Sequence, residues 1–85
     1  MVQPPEHLDR FESLNEIVKA LRGDQGCPWD KEQTHRTLAP YAVEEAFELA
    51  EAIESGDDDS IKGELGDVLL QVVLNAEIAR QENRF

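Results

Sequence analysis

The chain has a single cysteine, Cys27, so no internal disulfide can staple its 85 residues. Basic residues are scarce, with 8 Lys and Arg against 19 Asp and Glu, a net charge of −11. So acidic a chain repels a nucleic-acid backbone and an anionic membrane surface alike, which excludes roles that coat either polyanion. No run approaches the roughly 18 apolar residues of a membrane span. The opening Met1-Val2-Gln3-Pro4-Pro5-Glu6 has neither the basic nor the apolar stretch of a secretory leader. The sequence therefore reads as a soluble, cytoplasmic protein, with no membrane and no nucleic-acid polymer among its partners. Strict alternation of polar and apolar residues is missing too, and with it any sign of a β-strand. What is present is 40% hydrophobic residues, enough for one small core. Without a disulfide, a fold of this size draws on a second copy or on a metal.

Helical periodicity organises the apolar residues. Leu8, Phe11, Leu14, Ile17 or Val18, and Leu21 recur every three or four positions, which predicts a first helix over about 6–22. Gly23-Asp24-Gln25-Gly26-Cys27-Pro28-Trp29-Asp30 interrupts the pattern with two glycines and a proline, so 23–37 reads as a loop. A second helix is expected over about 39–55, with Pro40 in its first turn and Gly56 beyond its end. Asp57, Asp58, Asp59 and Ser60 supply capping groups and negative charge for a third helix over about 58–82. The short Gly-Asp link makes the last two an antiparallel hairpin. The expectation is a single all-α domain over 1–85, a helical hairpin plus an N-terminal helix, assembling into a multi-helix bundle.

The third helix carries apolar residues almost all round, including Ile61, Leu65, Val68, Leu69, Val72, Val73 and Ile78, and is expected to be buried on nearly every side. Along it runs a narrow polar stripe of Glu64, Asp67, Gln71 and Asn75. The second helix sets Val43, Ala46, Phe47, Leu49, Ala50 and Ile53 on its apolar arc and presents Glu44, Glu45, Glu48 and Glu51. Glutamates three apart share a helix face, so two acidic pairs would converge across the hairpin. Several carboxylates buried together cost too much unless cations neutralise them. Oxygen ligands without His or Cys select Mg²⁺, with Mn²⁺ as the second choice, and Mg²⁺ favours a phosphate ester or anhydride as substrate. Taken alone, Glu44, Glu48 and Glu51 are an ordinary solvated face, and the stripe on the third helix has a second reading as a register-setting polar seam. Periodicity does not choose between Glu44 and Glu45 as the inward partner of Glu48.

A calcium loop beginning at Asp57 is excluded, because its sixth position is Lys62 instead of Gly and its twelfth is Val68 instead of Glu. Gly63 and Gly66 each cost about 1 kcal/mol inside a helix relative to Ala. Close approach of the facing helix, or of ions and phosphate, is the expected compensation. Cys27 reads as a small packed residue and not a nucleophile, and His7 and His35 as surface or capping residues.

Glu44-Glu45-Ala46-Phe47-Glu48, followed after fifteen residues by Glu64-Leu65-Gly66-Asp67, resembles the EExxE…ExxD signature of the MazG family of all-α nucleoside triphosphate pyrophosphohydrolases. The loop Gly26-Cys27-Pro28-Trp29-Asp30-Lys31-Glu32-Gln33-Thr34 resembles a second hallmark of that family, and the likeness runs from about Leu21 to Phe85. It implies Mg²⁺-dependent hydrolysis of nucleoside triphosphates to the monophosphate and pyrophosphate, an activity of the house-cleaning kind. By position it implies Glu45, Glu48, Glu64 and Asp67 as metal ligands, with Glu44 orienting or deprotonating the attacking water. Trp29 is then a base-stacking candidate, equally readable as a ring pinning the loop to the core, and Lys31 and Arg36 are candidates for phosphate. The resemblance further implies the first of two tandem repeats, with a helix rich in Lys and Arg past Phe85 that the 1–85 domain is expected to lack. Its unpaired apolar surface points to a homodimer or a dimer of dimers. The alternative function is a non-catalytic helical dimerisation or regulatory module that retains metal or nucleotide binding.

Overall fold

A computed structural model describes residues 10–85 and contains four helices: α1 Phe11–Leu21, α2 Pro28–Glu32, α3 His35–Ser55 and α4 Asp58–Gln81. No strand occurs among the described residues, so the class is all-α as expected. The part of the first expected helix before residue 10, and His7 with it, lies outside the described residues.

The segment between the first helix and the hairpin differs from the expected loop. Pro28 opens the short helix α2, where its missing N–H costs nothing and its fixed φ favours a helical turn. Gly26 before it is tucked against the carbonyls of Ala20 and Leu21, a position with no room for a Cβ. The hairpin then begins at His35, several residues earlier than Pro40 suggests. Thr34 forms a reciprocal cap, its hydroxyl accepting from the Thr37 N–H at 3.2 Å while the Thr34 N–H donates to the Thr37 hydroxyl at 2.8 Å. Two satisfied end groups outweigh the single bond that Pro40 forgoes within the helix, where it lies exposed.

At the other end, Gly56 takes φ 74°, the left-handed conformation that ends a helix without a Cβ penalty. Its N–H closes on the carbonyls of Ala52 and Ile53, both at 3.2 Å. Asp57 then caps α4, its carboxylate accepting from the Ser60 N–H at 3.0 Å and the Ser60 hydroxyl at 2.6 Å. These bonds pull its pKa below the usual aspartate value.

The core lies where α1 and α3 both pack on α4. Val18 of α1, Leu38 of α3 and Val73, Leu74 and Ile78 of α4 are buried together, with Leu14 and Leu70 against them. Glu77 is buried beside this cluster and takes a two-pronged bond from Arg80 at 2.7 and 2.6 Å, which holds its carboxyl below the ordinary glutamate range. The core occupies the open end of the hairpin, away from Gly56. Toward the middle the expected all-round burial of α4 fails, because Leu65, Leu69 and Val72 are exposed in the single chain. Val43, Phe47 and Ile53 of α3 are exposed likewise, since α1 is too short to cover both helices.

Candidate functional site

The inward face of α3 repeats as Leu38, Ala42, Glu45, Glu48 and Ala52, each buried or half-buried. This is the i, i+3, i+4 succession of a helix lying on one neighbour. Glu45 and Glu48 therefore take core-facing positions, and Glu44, one residue round the helix, is exposed. The antiparallel return places Glu64 of α4 opposite them. One carboxylate oxygen from each of Glu45, Glu48 and Glu64 can be chosen so that the three lie within 4.8 Å of one another. Asp67, a turn further along α4, is exposed at the edge of the group, close enough that its charge bears on both Glu45 and Glu64.

Electrostatics show a group short of positive charge. Burial, then the charges of Glu48, Asp67 and Glu44, pushes the Glu45 carboxyl above the ordinary glutamate range. Glu64 is raised by burial first, then by Glu48, Asp67 and Glu45. Glu45 Oε2 and Glu64 Oε2 are each shielded from solvent with no hydrogen-bond partner. An unpaired buried carboxylate oxygen is costly, and here two residues of one cluster each carry one. Because the donors are all carboxylate oxygens, the ion that suits them is a hard divalent cation.

The remaining candidates are placed around this cluster. Trp29 is half exposed, its ring edge-on to Tyr41 at a centroid distance of 6.0 Å. Tyr41 precedes Glu45 by one helical turn, so the aromatic pair ties α2 to the helix that carries the acidic residues. Sequence reasoning passed over Tyr41, which has no partner within its own helix period to single it out. Lys31 is exposed, its ammonium donating to the Asp24 carbonyl at 3.4 Å. Arg36 is exposed two turns before Glu44 on the same side of α3.

Arg22 holds the α2 segment in place, another role not singled out from the sequence. Its guanidinium donates to the carbonyls of Asp30 and Gln33 and, at 2.9 Å, to Gln81 Oε1 near the end of α4. Cys27 is half-buried at the cap of α2.

One expectation is corrected here and a second loses one of its two alternatives. His35 is half-buried, its Nδ1 2.7 Å from Asn75 Oδ1, and so is neither a surface nor a capping residue. A Cβ built on Gly63 or Gly66 would meet nothing within 4 Å, so the facing helix does not compensate for either glycine, and the space beside Glu64 and Asp67 is open.

Among the described residues, four helices without a strand form an all-α arrangement in which carboxylates from both arms of the hairpin gather at its centre. Residues 33–85 match the MazG nucleotide pyrophosphohydrolase domain, and the chain belongs to that family. It is 55% identical over 75 residues to the nucleoside triphosphate pyrophosphohydrolase/pyrophosphatase MazG of Thermotoga maritima, covering 88% of this chain and 29% of that protein. With the nucleoside triphosphate pyrophosphohydrolase of Escherichia coli K12 it shares 48% over 79 residues, 92% of this chain and 30% of the relative. The nucleoside triphosphate pyrophosphohydrolase of Mycolicibacterium smegmatis is 54% identical over 75 residues, 88% of this chain and 22% of the relative. The chain thus spans less than a third of the length of these relatives.

Proposed function

We propose that the domain hydrolyses nucleoside triphosphates to the monophosphate and pyrophosphate in a Mg²⁺-dependent reaction, with Glu45, Glu48, Glu64 and Asp67 holding the metal. The observation that carries this reading is the pair of orphaned carboxylate oxygens, on Glu45 and Glu64, within an all-oxygen cluster. Mg²⁺, when bound, supplies the positive charge that lets the triphosphate approach and that offsets charge on the leaving pyrophosphate. Glu44 is the carboxylate left free beside the ligands. It takes a proton from the water that attacks the α-phosphorus, as the new P–O bond forms and the bond from the α-phosphorus to the bridging oxygen breaks. The open space at Gly63 and Gly66 leaves room for phosphate next to Glu64 and Asp67. Lys31 and Arg36 are exposed cations that meet the phosphate tail, and Trp29 offers a ring face to the base. The activity by which these relatives are named supports the same reading.

The test is pyrophosphate release from a panel of ribo- and deoxyribonucleoside triphosphates, with and without Mg²⁺, in the wild type and Glu48→Ala. Release that needs both the metal and Glu48 is the expected result. Metal binding with no turnover in either protein favours the alternative, a non-catalytic helical dimerisation or regulatory module.

The assembly proposed is a homodimer, or a dimer of dimers, formed on the face bearing Val43 and Phe47 of α3 with Leu65, Leu69 and Val72 of α4. So many large apolar side chains open to water on a hairpin of this size make an interaction surface, and a second copy brings a matching one. Sedimentation at micromolar concentration should show the dimer; a folded monomer there would overturn it.

A further inference from the structure

The short helix α2 has no buried residue with which to hold itself against the core, and its five residues are too few for a helix to persist alone in water. Hydrogen bonds at its C-terminal end, where free carbonyls gather, set its place instead. Arg22 Nη1 donates to two carbonyls there, that of Asp30 and, at 2.9 Å, that of Gln33. The Gln33 amide donates to the Trp29 carbonyl at 3.0 Å, and its Oε1 accepts from the Thr37 hydroxyl at 2.8 Å.

Arg22 is itself fixed from the far end of the fold. Its Nε donates to Gln81 Oε1 at 2.9 Å, and the Gln81 amide closes back on the Arg22 carbonyl at 3.5 Å. The buried carboxylate of Glu77, held low first by its bond from Arg80, also feels the charge of Arg22. One guanidinium therefore joins the ends of α1 and α4 to α2. A lysine could not do the same, because its ammonium is a single point and lacks the planar fork.

The segment so held carries Trp29, whose ring is 49% exposed and meets Tyr41 edge-on. Without the guanidinium, that half-open edge contact would have to keep the ring in place. Lys31 rides on the same segment, but its flexible stem keeps its reach where a rigid ring does not. Among the described residues the side-chain hydrogen bonds of Arg22 go to Asp30, Gln33 and Gln81 and none to the acidic cluster, so its loss leaves the carboxylates in place. We infer that Arg22 is a positioning residue for substrate binding, acting through α2 to hold Trp29 where the ring stacks on the base. This rests on the role proposed above for Trp29 and names the residue on which that role depends.

Trp29 is the chain's single tryptophan, so fluorescence reads its placement directly while kinetics read the consequence. In Arg22→Ala the emission should move to longer wavelength and acrylamide should quench it more efficiently. KM for a nucleoside triphosphate with Mg²⁺ should rise about tenfold at unchanged kcat, as for a site correctly formed in about a tenth of the molecules. Arg22→Lys should fall between wild type and Arg22→Ala in each readout, and it decides the matter if the alanine variant does not fold. In a Trp29→Ala background, Arg22→Ala should add nothing to KM, because both substitutions remove the same contact. Unchanged quenching would overturn the inference, as would a fall in kcat, or a further rise in KM when Arg22→Ala is added to Trp29→Ala. The two readings fail distinguishably. A raised KM in Trp29→Ala with an unchanged one in Arg22→Ala defeats the inference alone, whereas no turnover in the wild type, or an unchanged KM in Trp29→Ala, defeats the underlying reading and this inference with it.

Discussion

Protein carrying Glu64→Gln is expected to unfold in chelator at a higher temperature than the wild type, and added Mg²⁺ should leave it there. The reason is the charge crowding in the metal-free cluster. Glu45 and Glu64 are raised by burial and by the neighbouring carboxylates, so the folded state disfavours their ionised forms. The folded protein consequently holds more protons than the unfolded chain between the ordinary glutamate value and the raised one. Metal-free stability falls as pH rises through that window and stays lower above it. A neutral amide at position 64 removes one of the repelling charges and, with it, a ligand. The wild type behaves oppositely when metal is added. At Mg²⁺ a hundred times its dissociation constant, binding to the native state alone contributes about 2.7 kcal/mol. For a domain of this length that is a rise of roughly 10–20 °C in the thermal midpoint. Pyrophosphate release by Glu64→Gln should fall by roughly a hundredfold or more, because each 1.36 kcal/mol of lost transition-state stabilisation is about tenfold in rate. A thermal melt in chelator, followed by a Mg²⁺ titration, decides the matter. If Glu64→Gln melts below the wild type in chelator, or still gains from Mg²⁺, the metal assignment of Glu64 is wrong.

Leu38→Ala should be the most damaging single core substitution. Leu38 is fully buried and is the sole side chain that α3 contributes to the central cluster with Val18, Val73, Leu74 and Ile78. Truncating such a leucine costs about 2–5 kcal/mol, through lost transfer energy and the cavity left behind. In a domain this small the thermal midpoint drops by roughly 10–30 °C. The effect extends to the His35–Asn75 contact, because Leu38 lies one turn from His35 on the same face of α3. Denaturant or thermal unfolding of Leu38→Ala measures the loss. A change of only a degree or two would mean that a partner chain supplies most of the stability and that the core at the open end of the hairpin matters little.

Local periodicity made the helices legible. An apolar residue every three or four positions marks a helix whatever it packs against, and Gly56 with Asp57 marks the turn because only local backbone chemistry is involved. The start of α3 was harder to read, since Pro40 is a strong signal and the Thr34–Thr37 cap competes with it quietly. The acidic residues stood out by type and spacing. Which of Glu44 and Glu45 turns inward was not readable from periodicity, because both lie on the same side of the helix as Glu48, and only the family resemblance pointed to Glu45.

By itself the sequence determined that the protein is all-helical, acidic and built around a hairpin with carboxylates on both arms, since each of these follows from composition or from spacing within one helix. The tertiary structure alone decided the rotation of α3 on α4 that brings Glu45 to Glu48 and Glu64 and leaves Glu44 in solvent. It alone joined His35 to Asn75 and Arg22 to Gln81, and left Gly63 and Gly66 beside open space. Residues 40 or 59 positions apart meet only when the whole core has chosen its packing, and no local pattern records that choice.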